Sequence, residues 1–299
     1  MVHFEVEFTT RTRNMIPDGK TTVYRPNQRH EHGFIKTWFV MSMNILNSRE
    51  LIWQLFRRDF LASYKKSFIG VAWIFISPIM GIVSWVFLNM TGMLRPGDMN
   101  IPYPVYVLIG TSMWGLFMGF FDSAEATLSS GKDLVLQVYY PREALLFKQT
   151  AQHLANFSIS LIMILTFLLL FHVTPSWKIV FFPLVALPLF FLGASIGLVT
   201  SMISIVAVDI GRIIKMAMAL LMYLTPIIYS DNVTNHLVRE IIKWNPLTYL
   251  VCSCRDIIIF GRLYNTLGYL ICSGASLLLF LVSWRLFYVS EDRIIERMI

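Results

Sequence analysis

From Ser67 to Leu94, between Lys66 and Arg95, the chain has no charged side chain. A helix rises about 1.5 Å per residue, so about 20 apolar residues cross a hydrocarbon layer about 30 Å thick. This stretch exceeds that length and can tilt, and Pro78 and Gly81 allow a bend within it. Lipid offers no water to the backbone, which leaves helices and closed barrels as the spanning structures. The pattern recurs: 99–121, 149–177, 179–208, 212–230 and 263–284 read as five further spans. Only 14% of the 299 residues are charged and 56% are hydrophobic, whereas a soluble domain carries about 25% charge. The expected fold is an all-α integral membrane protein. It has six transmembrane helices, an N-terminal amphipathic interface helix, and an external re-entrant segment between spans five and six.

The net charge of +7 is then a matter of placement, and no nucleic-acid partner is expected. An even number of spans puts both termini on one side. That side holds 19 of the 25 lysines and arginines, 11 of them before residue 67, and is therefore cytoplasmic. The domain reading is a polar cytoplasmic segment over 1–47, the interface helix over 48–66, the transmembrane domain over 67–290 and a cytoplasmic tail over 291–299. The stretch from Met1 to Gly33 lacks the apolar core of a cleavable signal.

Ser48 to Lys66 reads as the interface helix, with Ser48 as N-cap. Trp53, Phe56, Phe60 and Tyr64 make an aromatic edge; Leu51, Ile52 and Leu55 widen it; Glu50, Gln54, Arg58 and Lys65 lie opposite. Such a helix lies in the membrane interface, docks a partner, or does both. Asp59 falls inside the apolar arc and needs a cation.

The charge-free part of the fifth span, Met216 to Ser230, is too short to cross by itself, so Arg212 and Lys215 must sit at one membrane edge. Ala217, Leu220, Leu221, Leu224, Ile227 and Ile228 form an aliphatic side suited to acyl chains. Lys215, Met218, Met222, Thr225 and Tyr229 form a mixed side that faces either packed protein or a pathway. Pro226 removes a donor and kinks the helix. After Asp231, Arg239, Glu240 and Lys243 comes a second apolar patch, Trp244 to Cys254, shorter still and best read as re-entrant.

Several chemistries are disfavoured. Asp18-Gly19-Lys20-Thr21 ends like a phosphate-binding loop, but Asn14 stands where its first glycine belongs and no strand precedes it. Nucleotide hydrolysis by this chain alone is not expected. Cys252, Cys254 and Cys272 make neither a disulfide framework nor a zinc spacing, and no metal site is expected. His153 and His172 stand near opposite ends of one expected span without an intramembrane carboxylate. That argues against an embedded glycan polymerase, an acyltransferase or an ion-coupled carrier.

Three blocks carry a family likeness. Leu51 to Pro78 contains Arg58-Asp59, Tyr64-Lys65-Lys66-Ser67, Ile69-Gly70, Trp73 and Pro78. Val138-Tyr139-Tyr140-Pro141-Arg142-Glu143 lies between the second and third spans. Leu224-Thr225-Pro226-Ile227-Ile228-Tyr229 is followed by Asn245-Pro246-Leu247-Thr248-Tyr249 and Arg255. In this order the blocks resemble the membrane subunits of type-2 ABC exporters, above all those moving polysaccharides. One departure is that Val208 replaces the arginine of the family's Arg-Asp pair before the fifth span, with Arg212 the nearest.

The resemblance implies a half-transporter in the bacterial cytoplasmic (inner) membrane. Two copies would form a channel above two separate ABC ATPase subunits, which hold the ATP and magnesium; this chain carries no cofactor and is not itself an enzyme. The implied substrate is a lipid-linked glycan of the O-antigen, capsule or teichoic-acid kind, and the alternative is a drug, a lipid or another small amphiphile. Trp73, Trp85, Met218, Met222, Tyr223, Thr225 and Tyr229 are the expected channel lining, aromatic faces suiting sugar rings. Arg57, Arg58, Lys65 and Lys66 would meet either the pyrophosphate of a lipid carrier or anionic membrane lipids. Leu134, Leu136, Tyr140, Pro141, Arg142 and Glu143 would dock on the ATPase, and Asn245, Pro246, Tyr249 and Arg255 would form an external gate.

Overall fold

The computed structural model describes residues 34–65, 72–97, 99–130, 143–232 and 235–298, and among these every regular element is helical. In chain order the helices are α1 (Phe34–Asn47), α2 (Arg49–Lys65), α3 (Trp73–Met90), α4 (Tyr103–Ser130), α5 (Glu143–Leu170), α6 (Phe182–Val206), α7 (Val208–Leu221), α8 (His236–Trp244), α9 (Pro246–Ile259) and α10 (Thr266–Met298). A short 3₁₀ turn, Trp177–Phe181, leads into α6.

The centre of the fold is α4 packed on α6. Phe117 and Phe121 of α4 and Leu189 of α6 are fully buried there. Two small positions on α6 permit the close approach. A Cβ at Gly193 would come within 2.9 Å of the Phe117 carbonyl, and one at Gly197 within 2.7 Å of the Ala124 Cβ. Small residues four apart let helix backbones approach in lipid, where the hydrophobic effect no longer drives association. A second cluster joins α1, α5, α6 and α10 through Met41, Leu146, Leu198, Phe280, Trp284 and Phe287. Helix α1 belongs to this packing: Thr37 and Met41 are buried, and Trp38 Nε1 donates to Leu281 O at 3.3 Å. Residues 34–47 are thus helical and pack mainly on α5, with Trp38 reaching α10.

Six spans were expected. Among the described residues four helical stretches are long and apolar enough to cross a membrane: Tyr103–Leu128, Ala144–Leu170, Trp177–Val206 and Thr266–Ser290. The shorter apolar helix Pro78–Met90 falls within the first expected span. The fifth expected span is corrected: α7 stops at Leu221, and 222–229 turns without helix. Ile227 and Ile228, expected to face acyl chains, are buried in the core cluster instead. The charged stretch before the expected apolar patch forms α8, and the patch itself, expected over Trp244 to Cys254, falls on the last residue of α8 and on α9. α8 is amphipathic, capped by Asn235 accepting from Leu237 N at 2.9 Å. α9 is buried from Leu247 through Ile259 except at Tyr249. Asn245 caps it, accepting from Leu247 N at 3.0 Å, with Pro246 at its first turn, where a missing N–H costs nothing. Helix α10 runs 33 residues, about 50 Å, and carries the charged tail as helix to Met298.

Candidate functional site

The interruption after α7 leaves backbone carbonyls without helical partners inside the fold. Each such group costs free energy unless a partner reaches it, the more so at membrane depth. Side chains from α4 and α9 supply those partners. Tyr103 OH donates to Ile228 O at 3.2 Å. Tyr106 OH lies 2.9 Å from Tyr229 O and 3.3 Å from Pro226 O and shares its single proton between them. Asn245 Nδ2 donates to Leu224 O at 3.2 Å and to Thr225 Oγ1 at 2.8 Å. Arg255 Nη1 donates to Pro226 O at 3.4 Å. Tyr103 and Tyr106 are three apart on α4 and so share one face. Gly110 continues that face: a side chain there would overlap the Ile227 carbonyl. The interruption is therefore a built segment, clasped on both sides.

Arg255 is the centre of the clasp and only 7% exposed. Its Nε donates to Asp256 Oδ1 at 3.0 Å, its Nη1 donates to Tyr106 OH at 2.5 Å, and its guanidinium lies 4.5 Å from the Tyr106 ring centre. An uncompensated buried charge is costly, so the carboxylate and the ring face are what allow an arginine here. Next to it opens a cavity of about 440 Å³ lined by Tyr106, Asp231, Arg255, Asp256, Arg262 and Tyr264, among others. Tyr264 OH donates to Asp231. The two arginines and two aspartates leave the walls formally neutral.

A second polar site lies at the other end of α4. Glu125 Oε2 accepts from Lys215 Nζ of α7 at 2.9 Å. At about 1.5 Å per residue, Glu125 lies about 28 Å further along the helix than Tyr106, close to the hydrocarbon thickness of a bilayer. Asp59 of α2 pairs with Lys148 of α5 and, at 2.8 Å, with its neighbour Arg58. Burial disfavours the Asp59 carboxylate, but hydrogen bonds from Lys148 and Arg58 outweigh it and hold the pKa below its ordinary value. The cation that the apolar arc of α2 requires is thus supplied from α5. Among the described residues no three of His, Cys, Asp and Glu gather to hold a metal ion. His153 Nε2 lies 3.1 Å from Leu116 O, and its ring packs edge-on against Phe120.

A family model described as ABC-2 type transporter matches residues 50–259, from α2 to the end of α9. The chain belongs to the ABC-2 type transporter family. This ABC-2 chain is a multi-pass membrane protein and a transporter membrane subunit. It is also similar to curated relatives. It is 24% identical over 251 residues to the O-antigen export system permease protein RfbA of Myxococcus xanthus, covering 83% of this chain and 95% of that one. It is 23% identical over 225 residues to the protein of the same name from Klebsiella pneumoniae, covering 75% and 85%.

Within this ABC-2 chain the expected lining residues divide. Trp85 of α3 meets Tyr223 edge-on at 6.5 Å, so the first and fifth segments come together there. Trp73 and Tyr223 are exposed and Trp85, Met222 and Tyr229 half-buried, whereas Met218 and Thr225 are buried within the chain. The mixed side is therefore split between internal packing and surface. Arg57 and Arg58 are exposed on α2. Lys65 closes α2 with its side chain undescribed, and Lys66 lies outside the described residues. Leu134, Leu136, Tyr140, Pro141 and Arg142 also lie outside them, and Glu143 is described only as the first residue of α5. Of the expected gate, Asn245 and Arg255 are buried in the clasp, Pro246 is exposed, and Tyr249 OH donates to Lys243 O at 2.8 Å. Asp209 and Arg212 meet at 3.4 Å on the exposed start of α7. Sequence reasoning missed Tyr103, Tyr106, Asp256, Lys148 and Glu125 as partners. The available signal was an arginine inside an apolar run, which demands acceptors from elsewhere.

Proposed function

We propose that this chain is the channel-forming subunit of an ATP-driven exporter that carries a lipid-linked surface polysaccharide, O-antigen-like, across the bacterial inner membrane. The observation that carries this reading is the likeness to the O-antigen export permease of Myxococcus xanthus, which spans 83% of this chain and 95% of that protein. Two copies enclose the channel and two ATPase subunits, with ATP and magnesium, dock beneath; the family supports the ATPase partnership. Both termini are cytoplasmic, and α8 with α9 forms the external re-entrant segment. Trp73, Trp85, Met222, Tyr223 and Tyr229 offer aromatic and soft apolar surface to sliding sugar rings, which stack without demanding one hydrogen-bond pattern. Arg57, Arg58, Lys65 and Lys66 receive the carrier pyrophosphate, and Leu134 to Glu143 receive the force of ATP binding. Asn245, Pro246, Tyr249 and Arg255 belong to the outer gate.

The test is mild-detergent purification of the tagged chain from its native membrane, with complex mass, ATPase activity and surface glycan read together. A two-plus-two complex that hydrolyses ATP, in a strain that loses its surface glycan when the chain is deleted, is the expected result. A chain with no ATPase partner overturns the exporter reading. An ATPase complex whose deletion leaves the glycan intact and raises drug or lipid sensitivity moves the substrate to a small amphiphile.

A further inference from the structure

Helix α1 carries apolar side chains on two opposite faces. On one face Thr37 and Met41 are buried, with Trp38 and Ile45 packed beside them. On the other, Phe39, Met43 and Leu46 are 68%, 41% and 62% exposed. Their spacing of four and three puts them in one stripe, half a turn from Thr37 and Met41. The stripe has neither a charge nor an N–H or O–H donor with which to meet water. From Thr37 to Ser48 the sequence holds no charged residue at all. A helix on a protein surface in water keeps a polar face opposite its buried one; a helix apolar on both sides belongs in a core or in lipid.

The level of α1 follows from α10. The apolar stretch Thr266–Ser290 has 25 residues. That is about 37 Å of helix, which overruns a hydrocarbon layer of about 30 Å by about 4 Å at each end. Trp38 donates to the carbonyl of Leu281, nine residues before Ser290. Nine residues are about 13 Å, so this contact lies about 10 Å inside the hydrocarbon. Met41 joins the cluster of Leu146, Phe280, Trp284 and Phe287, on the flanks of α5 and α10. With its inner face against spanning helices, α1 turns its outer face sideways, in the plane of the membrane. At the same level α10 exposes Leu278, Val282 and Leu286, and the stripe continues that apolar belt. We infer that α1 is a lipid-embedded helix, and that Phe39, Met43 and Leu46 bind the acyl chains of the leaflet at the C-terminal end of α10. The exposed Arg49 and Glu50, which open α2, are where the chain returns to the interface. This placement follows from α10 and holds whatever the chain exports. The family match begins at residue 50, so α1 stands outside it.

The experiment uses the full chain in its native membrane. A photoreactive benzoylphenylalanine replaces Phe39, Met43 or Leu46 in turn, with Leu278 of α10 as the reference position. After irradiation the purified chain is expected to carry the added mass of a phospholipid at all three positions, as at Leu278. Capture of a second copy of this chain, or of any other polypeptide, overturns the inference, because the stripe is then a protein interface. No adduct at the three positions while Leu278 captures lipid overturns it as well, because the stripe then faces water. A second measurement avoids the bulky substituent. In opened membrane vesicles Leu46→Cys is expected to react with a membrane-impermeant maleimide about tenfold more slowly than Gln54→Cys, since a thiol in apolar surroundings ionises less. Gln54 is exposed on α2 and gives the rate of a thiol in water. Cys252 and Cys254 are buried and Cys272 is half-buried, and the wild-type chain supplies their background. Equal rates at residues 46 and 54 overturn the inference.

Discussion

The guanidinium of Arg255 lies over the ring of Tyr106, 4.5 Å from its centre, and donates to the phenol oxygen of the same residue at 2.5 Å. One tyrosine thus holds a buried cation by face and by edge, while its own proton goes to the carbonyls of Pro226 and Tyr229. Through this pair α4 and α9 grip the segment that follows α7, where the fifth expected span leaves helix.

Tyr106→Phe keeps the ring face and removes the hydroxyl. The Pro226 and Tyr229 carbonyls lose a donor and Arg255 loses an acceptor. Unfolding in mild detergent is expected to show a loss of about 1–3 kcal/mol. Arg255→Met is expected to cost more, about 3 kcal/mol or above, because it leaves Asp256 buried beside the cavity without its main partner. Equal stability of the two variants would show that the arginine adds nothing beyond the tyrosine.

Gly197→Ala places a methyl group against the Phe121 carbonyl and the Ala124 side chain, both on α4. The helices must separate, at a cost of about 1–3 kcal/mol. Gly274→Ala on α10, where nothing lies within 4 Å, is the control and should be neutral or slightly stabilising. Thermal unfolding of the two variants side by side checks the contrast.

Asp59 gives the α2–α5 contact a pH dependence of known sign. Its pKa is lowered from the ordinary 3.8, burial opposing and the Lys148 and Arg58 hydrogen bonds prevailing. Such a carboxylate adds stability that is fully present above its unfolded value and is lost as pH falls through the folded one. The contact should hold from neutral pH down to 3.8 and weaken below. Pulsed spin-label distances between α2 and α5 across that range test this, and Asp59→Asn should show no such transition.

Trp85 and Tyr223 bring the first and fifth segments edge to edge at 6.5 Å. If sugar rings slide past this pair, Trp85→Ala and Tyr223→Ala should each slow glycan export while leaving ATPase activity and complex mass unchanged. Normal export from both variants would place the path elsewhere.

Local physics written along the chain was readable directly. Charge-free runs of helical length announced the spans of α4, α5, α6 and α10, because a bilayer selects for length and apolarity whatever the neighbours are. The amphipathic period of α2 was readable for the same reason, and Asp59 in its apolar arc implied a cation without saying which one. Tertiary structure decided the partners. Lys148 stands 89 positions from Asp59 and Tyr106 stands 149 from Arg255, and no periodicity links positions that far apart. It also decided where α7 ends. Met216 to Ser230 has the composition of a continuous span with a proline kink. The chain can abandon helix at Leu221 only because Tyr103, Tyr106, Asn245 and Arg255, from outside that helix, take up the carbonyls that it would have satisfied. An apolar run determines what must be buried; the side chains that the fold brings beside it determine whether its backbone has to be helical.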